Sequence, residues 1–83
     1  MNRIDTHLDQ LVTQMAQSLV DRPEDVQVNA IESSHTMVLE LRVAKEDIGK
    51  VIGKQGRTAQ AMRTLIGAVS SKLKKRTVLE ILD

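Results

Sequence analysis

At 83 residues the chain has room for one domain, and it contains neither cysteine nor any aromatic residue. A core of this size buries only about 60% of the unfolded surface, and here no disulfide or thiolate-bound metal can reinforce it and no aromatic platform can stack bases. The net charge of +1 hides a division: residues 1–43 carry three basic and seven acidic side chains, and residues 44–76 carry nine basic and two acidic, so an anionic partner is expected at the middle of the chain.

Ile4, Leu8, Leu11, Val12, Met15 and Leu19 recur at intervals of three and four, with Asp5, Asp9, Gln10, Gln14 and Gln17 opposite them. That spacing predicts an amphipathic helix ending near Asp21, because Pro23 disfavours helical geometry at Arg22. Val26, Val28 and Ala30, and then Met37, Leu39, Leu41 and Val43, alternate with other residues and predict two strands. The polar link Glu32-Ser33-Ser34-His35 between them favours an antiparallel hairpin. Serine beside histidine in sequence is not nucleophile beside base in space, so these residues read as a turn and not as a catalytic pair.

A short helix is expected over Lys45 to Ile52, opened by Glu46 and Asp47 at its positive end. A longer one is expected from Thr58 to Lys75, with Met62, Leu65, Ile66, Val69 and Leu73 on one stripe and Ala59 and Ala61 flanking it. Thr77 to Leu82 is β-branched and apolar, as a third strand requires. Two helices between the second and third strands make a crossover, and crossovers join parallel strands. The predicted fold class is therefore α+β, order αββααβ: a three-stranded mixed sheet with the second strand central and three helices on one face.

Between the two later helices lies Ile48-Gly-Lys-Val-Ile-Gly-Lys-Gln-Gly-Arg57, which holds three of the four glycines. Glycines at Gly53 and Gly56 permit positive φ and close approach of another backbone. The helix that follows offers unpaired N–H groups, and Lys54 and Arg57 add full charges, so the turn is suited to phosphate. The segment Val51-Ile-Gly-Lys-Gln-Gly-Arg-Thr-Ala-Gln-Ala-Met-Arg-Thr-Leu-Ile66 resembles the I-G-x-x-G core of KH domains, whose GXXG loop clamps about four nucleotides of RNA backbone. The element order resembles the type II, bacterial, arrangement over essentially the whole chain, and the length resembles the small KhpA-type proteins.

The resemblance implies one KH domain over residues 1–83, with its GXXG core at about 36–82. It implies a non-enzymatic, cytoplasmic, single-stranded RNA-binding protein acting as an RNA chaperone or post-transcriptional regulator. The RNA-binding loop is then Gly53, Lys54, Gln55 and Gly56, flanked by Gly49, Lys50, Ile52, Arg57 and Thr58. Strand residues Val78 to Leu82 form the opposite wall of the base cleft, with Ile48 and Val51 in the core. Lys72, Lys74, Lys75 and Arg76 either offset the dipole of the helix they close or draw RNA from a distance. The resemblance also implies a homodimer or a heterodimer with a larger KH-containing protein. The rival reading is a KH-fold scaffold for protein partners.

Other assignments fail on spacing. A P-loop needs four residues between its glycines and Lys-Ser/Thr after them, and the dinucleotide fingerprint needs G-x-G-x-x-G. A helix-turn-helix reader of DNA lacks suitable base-reading side chains on the second helix. His7 and His35 lie on different elements without thiolates, so no metal and no cofactor is expected. No apolar run approaches the ~18 residues of a membrane span, and the N-terminus lacks the layout of a signal peptide. No membrane and no small-molecule substrate is expected either.

Overall fold

The computed structural model describes residues 7–83, so the predicted helical turn at Ile4 lies outside the described residues. Helix α1 spans His7–Leu19, strands β1 and β2 span Gln27–Glu32 and Thr36–Arg42, helices α2 and α3 span Ile48–Ile52 and Arg57–Leu73, and β3 spans Arg76–Leu82. Order, class and layering are those expected: one sheet in the order β1-β2-β3, with β1 antiparallel and β3 parallel to the central β2.

Period two decides which face of the sheet is covered. Met37, Leu39 and Leu41 point inward and are 2%, 0% and 0% exposed, while Val38, Glu40 and Arg42 take the open face. The register extends that set across the sheet as the rows Val28–Leu41–Ile81 and Ala30–Leu39–Leu79, although Ala30, on the edge strand, is left exposed. Onto that face α1 sets Leu8, Val12 and Ala16, α2 sets Val51, and α3 sets Ala59, Met62 and Ile66. Burying one leucine side chain is worth about 1.5–3 kcal/mol against a total stability of about 5–15 kcal/mol, so Leu39 and Leu41 each matter to the whole fold.

Two apolar residues leave the stripes expected of them. Leu19 is 39% exposed, because α1 stops there and Val20 takes the buried place, its N–H closing on Ala16 O at 3.2 Å. Leu65 is 47% exposed; the buried line of α3 runs through Ala59, Met62, Ile66 and Ser70, and one residue back from Ile66 is about 100° round the helix. Arg22, at φ −119° and ψ 74°, is kept out of the helical region, as a residue before proline should be. The hairpin turn is Ser33-Ser34-His35, and the Ser33 N–H and hydroxyl both donate to Thr36 O, at 2.8 and 3.2 Å.

Helix α3 ends at Leu73, two residues before the predicted end. Lys74 turns left-handed, at φ 56° and ψ 39°; its N–H donates to Ser71 O and the Lys75 N–H donates to Ser70 O, at 3.3 and 3.2 Å. This is the two-bond Schellman closure, in which glycine is the usual left-handed residue. The junction is then tied to the hairpin: the Lys75 ammonium pairs with Glu32, and the Arg76 N–H donates to His35 O at 2.9 Å. A lysine in this conformation is strained by about 1–2 kcal/mol, part of which glycine's greater unfolded-state freedom offsets. Lys74→Gly is therefore expected to raise stability by about 0.5–1 kcal/mol in urea denaturation. A loss of stability would mean that the lysine side chain supports the junction.

Candidate nucleic-acid interface

Five residues are too few for α2 to hold itself together, so its position depends on tertiary anchors. Val51, fully buried, is one, and Ile48 packs against the same cluster, as their core reading required. The second anchor is Asp47, which is also fully buried. Its Oδ2 accepts the Arg22 N–H at 3.0 Å, and its Oδ1 lies 3.4 Å from Lys50 Nζ, which reaches Asp21 at 3.3 Å as well. Burial alone pushes the Asp47 carboxyl up, but the amides of Arg22 and Asp21 and the Lys50 ammonium outweigh it and hold it below the usual value. Lys50 is raised, by its hydrogen bond to Asp21 and the charge of Asp21 first and by Asp47 after them. The structure thus places Lys50 in a clasp between the end of α1 and the start of α2.

The sequence reading treated Asp47 as a first-turn acid facing the helix dipole, whereas it is a buried acceptor for a backbone 25 residues away. A carboxyl lowered on folding contributes stability that is complete above its unfolded value, about 3.9, and is lost as pH falls through the lower folded value. Asp47→Asn is accordingly expected to lower stability at neutral pH and to flatten its fall below about pH 4. Urea midpoints of both proteins between neutrality and the acid limit check this; curves that stay parallel would dismiss the role.

The turn that follows is built from backbone conformations that few residues adopt. Gly53 sits at φ 79°, ψ 170°, Gln55 at φ 57°, ψ 27°, and Gly56 at φ 75°, ψ 12°. Three of its amides are used internally: Gly53 N–H donates to Gly49 O at 2.8 Å, Gly56 N–H to Gly53 O at 3.1 Å, and Arg57 N–H to Lys54 O. The amides of Lys54 and Gln55, at the exposed apex, meet no carbonyl among the described residues. Lys54 keeps negative φ and Gln55 reverses it, and successive N–H groups across such a reversal form a concave nest for an anion. The free donors are thus fewer than the whole first turn of a helix, and they lie in the turn itself.

The two glycines do different work. A Cβ on Gly53 would stand 2.1 Å from Thr58 Oγ1 and 2.8 Å from Thr58 N, whereas a Cβ on Gly56 would meet nothing within 4 Å. Gly53 is required for packing within the protein, and Gly56 keeps the outer side of the turn clear. Gly53→Ala is expected to cost about 3 kcal/mol, from a glycine-only conformation plus the clash, and Gly56→Ala about 1 kcal/mol, from left-handed strain alone. Urea denaturation separates the two; equal losses would show that Thr58 gives way.

Around the turn, Gly49 and Ile52 share an exposed face of α2, Ile52 being 39% exposed. Arg57 is exposed, and Thr58 is half-buried against Gly53. A groove of about 210 Å³ runs between α3 and β3, lined by Arg63, Ile66 and residues Arg76 to Leu79. The strand side of this groove is the first half of β3, which shares Val78 and Leu79 with the expected Val78–Leu82 wall. Arg63, absent from the sequence reading, reaches across it: its Nε and Nη2 donate to Leu79 O at 3.4 and 3.1 Å. Its position on the helix beside Met62 offered the only signal. Among the described residues Lys54, Arg57, Lys72, Lys74 and Arg76 form no ion pair, while Lys75 is held by Glu32. An apolar groove lies on the other side of α3, lined by Met15, Ser18 and Leu19 of α1 with Thr58, Ala61, Met62 and Leu65. No cluster of three or more potential metal ligands occurs among the described residues, and no described helix is long and apolar enough to cross a membrane.

A glycine turn of this geometry, in this element order, coincides with the family model "KhpA/KhpB, KH domain", which matches residues 9–81. The chain belongs to that family. The KH domain is 53% identical over 73 residues to the "RNA-binding protein KhpA" of Caldanaerobacter subterraneus subsp. tengcongensis, covering 88% of this chain and 97% of the relative. It is 47% identical over 74 residues to the protein of that name from Borreliella burgdorferi, covering 89% and 90%, and 50% identical over 76 residues to that of Aquifex aeolicus, covering 92% and 96%. No solved structure matches the chain.

Proposed function

We propose that this KH domain binds single-stranded RNA, without enzymatic activity, by clamping about four nucleotides of backbone on the turn Gly53-Lys54-Gln55-Gly56. The observation that carries the reading is the pair of free amides at Lys54 and Gln55, in a left-handed reversal whose outer side is clear of side chains. Lys54 and Arg57 add charge at the same place, and the relatives' shared name, RNA-binding protein, points the same way. Gly49, Ile52 and Thr58 form the helix-side wall of the site. Lys50, compensated by two carboxylates, holds α2 in place and leaves the phosphates to its neighbours.

The protein then acts in the cytoplasm as an RNA chaperone or post-transcriptional regulator, residues 1–83 making one KH domain with its core at about 36–82. Without aromatic stacking, worth about 1–3 kcal/mol per base where present, one domain should bind at roughly micromolar concentration. Two domains acting together bind far better by avidity, and the apolar groove between α1 and α3, with Leu19 and Leu65 at its edge, offers a surface on which a second copy or a larger KH-containing partner can pack.

Replacing Lys54 and Gln55 together by Asp puts carboxylates where phosphate must sit, on an exposed turn whose fold does not need either side chain. Titration of short oligoribonucleotides should show saturable binding by the wild type with a single-strand salt slope of about −2, for about three phosphates neutralised. The double variant should show none. Unchanged binding by the variant would move the site elsewhere, and a folded wild type that binds no RNA while the variant loses a protein partner would favour the scaffold reading.

A further inference from the structure

The groove between α3 and β3 raises a question that phosphate binding does not answer, namely which base it admits. Its strand wall is the free edge of a three-stranded sheet, since β3 pairs with β2 alone. The N–H and C=O of one strand residue point to the same side, and alternate residues point to opposite sides. Leu79 O points to the free edge, where Arg63 takes it, so the edge carries the backbone groups of Thr77, Leu79 and Ile81.

A bare strand edge is matched to adenine, whose amino group donates to a carbonyl and whose ring nitrogen accepts an amide. Here the central carbonyl of that edge is already capped. Two N–H groups of Arg63 are directed at Leu79 O, while Nη1 and the second hydrogen of Nη2 make no hydrogen bond or ion pair among the described residues. A guanidinium carries five donors in a rigid fork, so three are left over, and two of them, one on Nη1 and one on Nη2, run parallel as a pair of donors beside the groove. Thr77 Oγ1, on the strand wall of the same groove, is buried and has no hydrogen-bond partner among the described residues. At about 210 Å³ the space is below the ~300–1,000 Å³ of a drug-sized ligand site, which suits one base.

The geometry points to Arg63 as the residue that sets base preference, selecting guanine over adenine in this groove; the inference rests on the RNA-binding reading above. Guanine presents two adjacent acceptors, O6 and N7, to a two-donor fork, whereas adenine presents N7 beside an amino donor and leaves one arm of the fork facing another donor. The capped Leu79 carbonyl adds to the discrimination by withholding the acceptor that the adenine amino group requires. A purely structural Arg63 would only shield the strand edge from pairing with other chains; it would affect folding and leave base preference alone.

The test is fluorescence anisotropy with uridine heptamers carrying a single central guanine, adenine or cytosine. Wild type, Arg63→Lys, Arg63→Gln and the double Asp variant of the turn are compared, each checked for helical circular dichroism. Wild type is expected to bind the guanine oligomer about tenfold more tightly than the adenine one, as one bidentate contact provides. Arg63→Lys keeps the charge but not the fork, and together with Arg63→Gln should reduce that preference below about twofold while the double Asp variant binds none of the oligomers. Either Arg63 variant ranking guanine over adenine as wild type does would overturn the assignment. So would a wild type that ranks adenine or cytosine first, or one that binds through the turn without ranking the bases. Failure of wild type to bind any oligomer would bring down the RNA-binding reading itself.

Discussion

The position of the glycine turn depends on one buried carboxylate. Helix α2 is five residues long and has a single fully buried apolar anchor, Val51. Asp47 supplies the other constraint by accepting the amide of Arg22, just past the end of α1, and by engaging Lys50, which reaches back to Asp21. Removing one partner of such an arrangement leaves a buried polar group unsatisfied, which costs more than the pair contributes while intact. The helix that carries the turn is therefore fixed to the body of the domain through Val51 on its inner face and through Asp47 and Lys50 near its start, and the turn is positioned by those anchors.

The turn itself divides its requirements between two glycines that look equivalent in sequence. Gly53 is pressed against Thr58 and adopts a conformation open only to glycine; a Cβ on Gly56 would meet nothing within 4 Å, and its absence leaves the outer side clear. Between them Gln55 accepts left-handed geometry without the glycine that would relieve it. Strain at a residue that is not glycine persists where the surroundings over-determine it, and it concentrates at functional positions. Here its consequence is to turn two successive amides outward.

Much of this was legible in the chain. The strands followed from alternation alone, since Met37, Leu39 and Leu41 leave only one face for the core, and the crossover of two helices dictates a parallel β3. The glycine spacing located the turn and the family. Three features were not legible, each for the same reason: they depend on contacts between residues far apart in sequence. Asp47 reads as a helix-capping acid until Arg22 is seen above it, and Arg63 reads as a surface cation until Leu79 O is seen beneath it. Leu65 reads as core because it lies at helical spacing from its neighbours, yet only one line of α3 meets the sheet, and Leu65 stands about 100° away from it.

The charge division of the sequence also changes meaning once paired groups are set aside. Of the cations in the basic middle region, Lys50 and Lys75 are matched to carboxylates of the acidic first half, Asp21 and Glu32, and Lys50 to Asp47 as well, so part of the asymmetry is internal compensation. Of the seven that remain, Lys45 lies ahead of α2 and Arg63 caps Leu79 O midway along α3, and the other five stand in two groups: Lys54 and Arg57 at the turn, and Lys72, Lys74 and Arg76 at the junction with β3. The 17 residues of α3 separate them by about 25 Å, some three screening lengths at physiological salt. They cannot act on the same phosphate. On the proposed reading, a strand held at the turn would reach the second group by running along the groove past Arg63 to Arg76, which would make the path between the two groups, and not the sum of their charges, the quantity on which recognition depends.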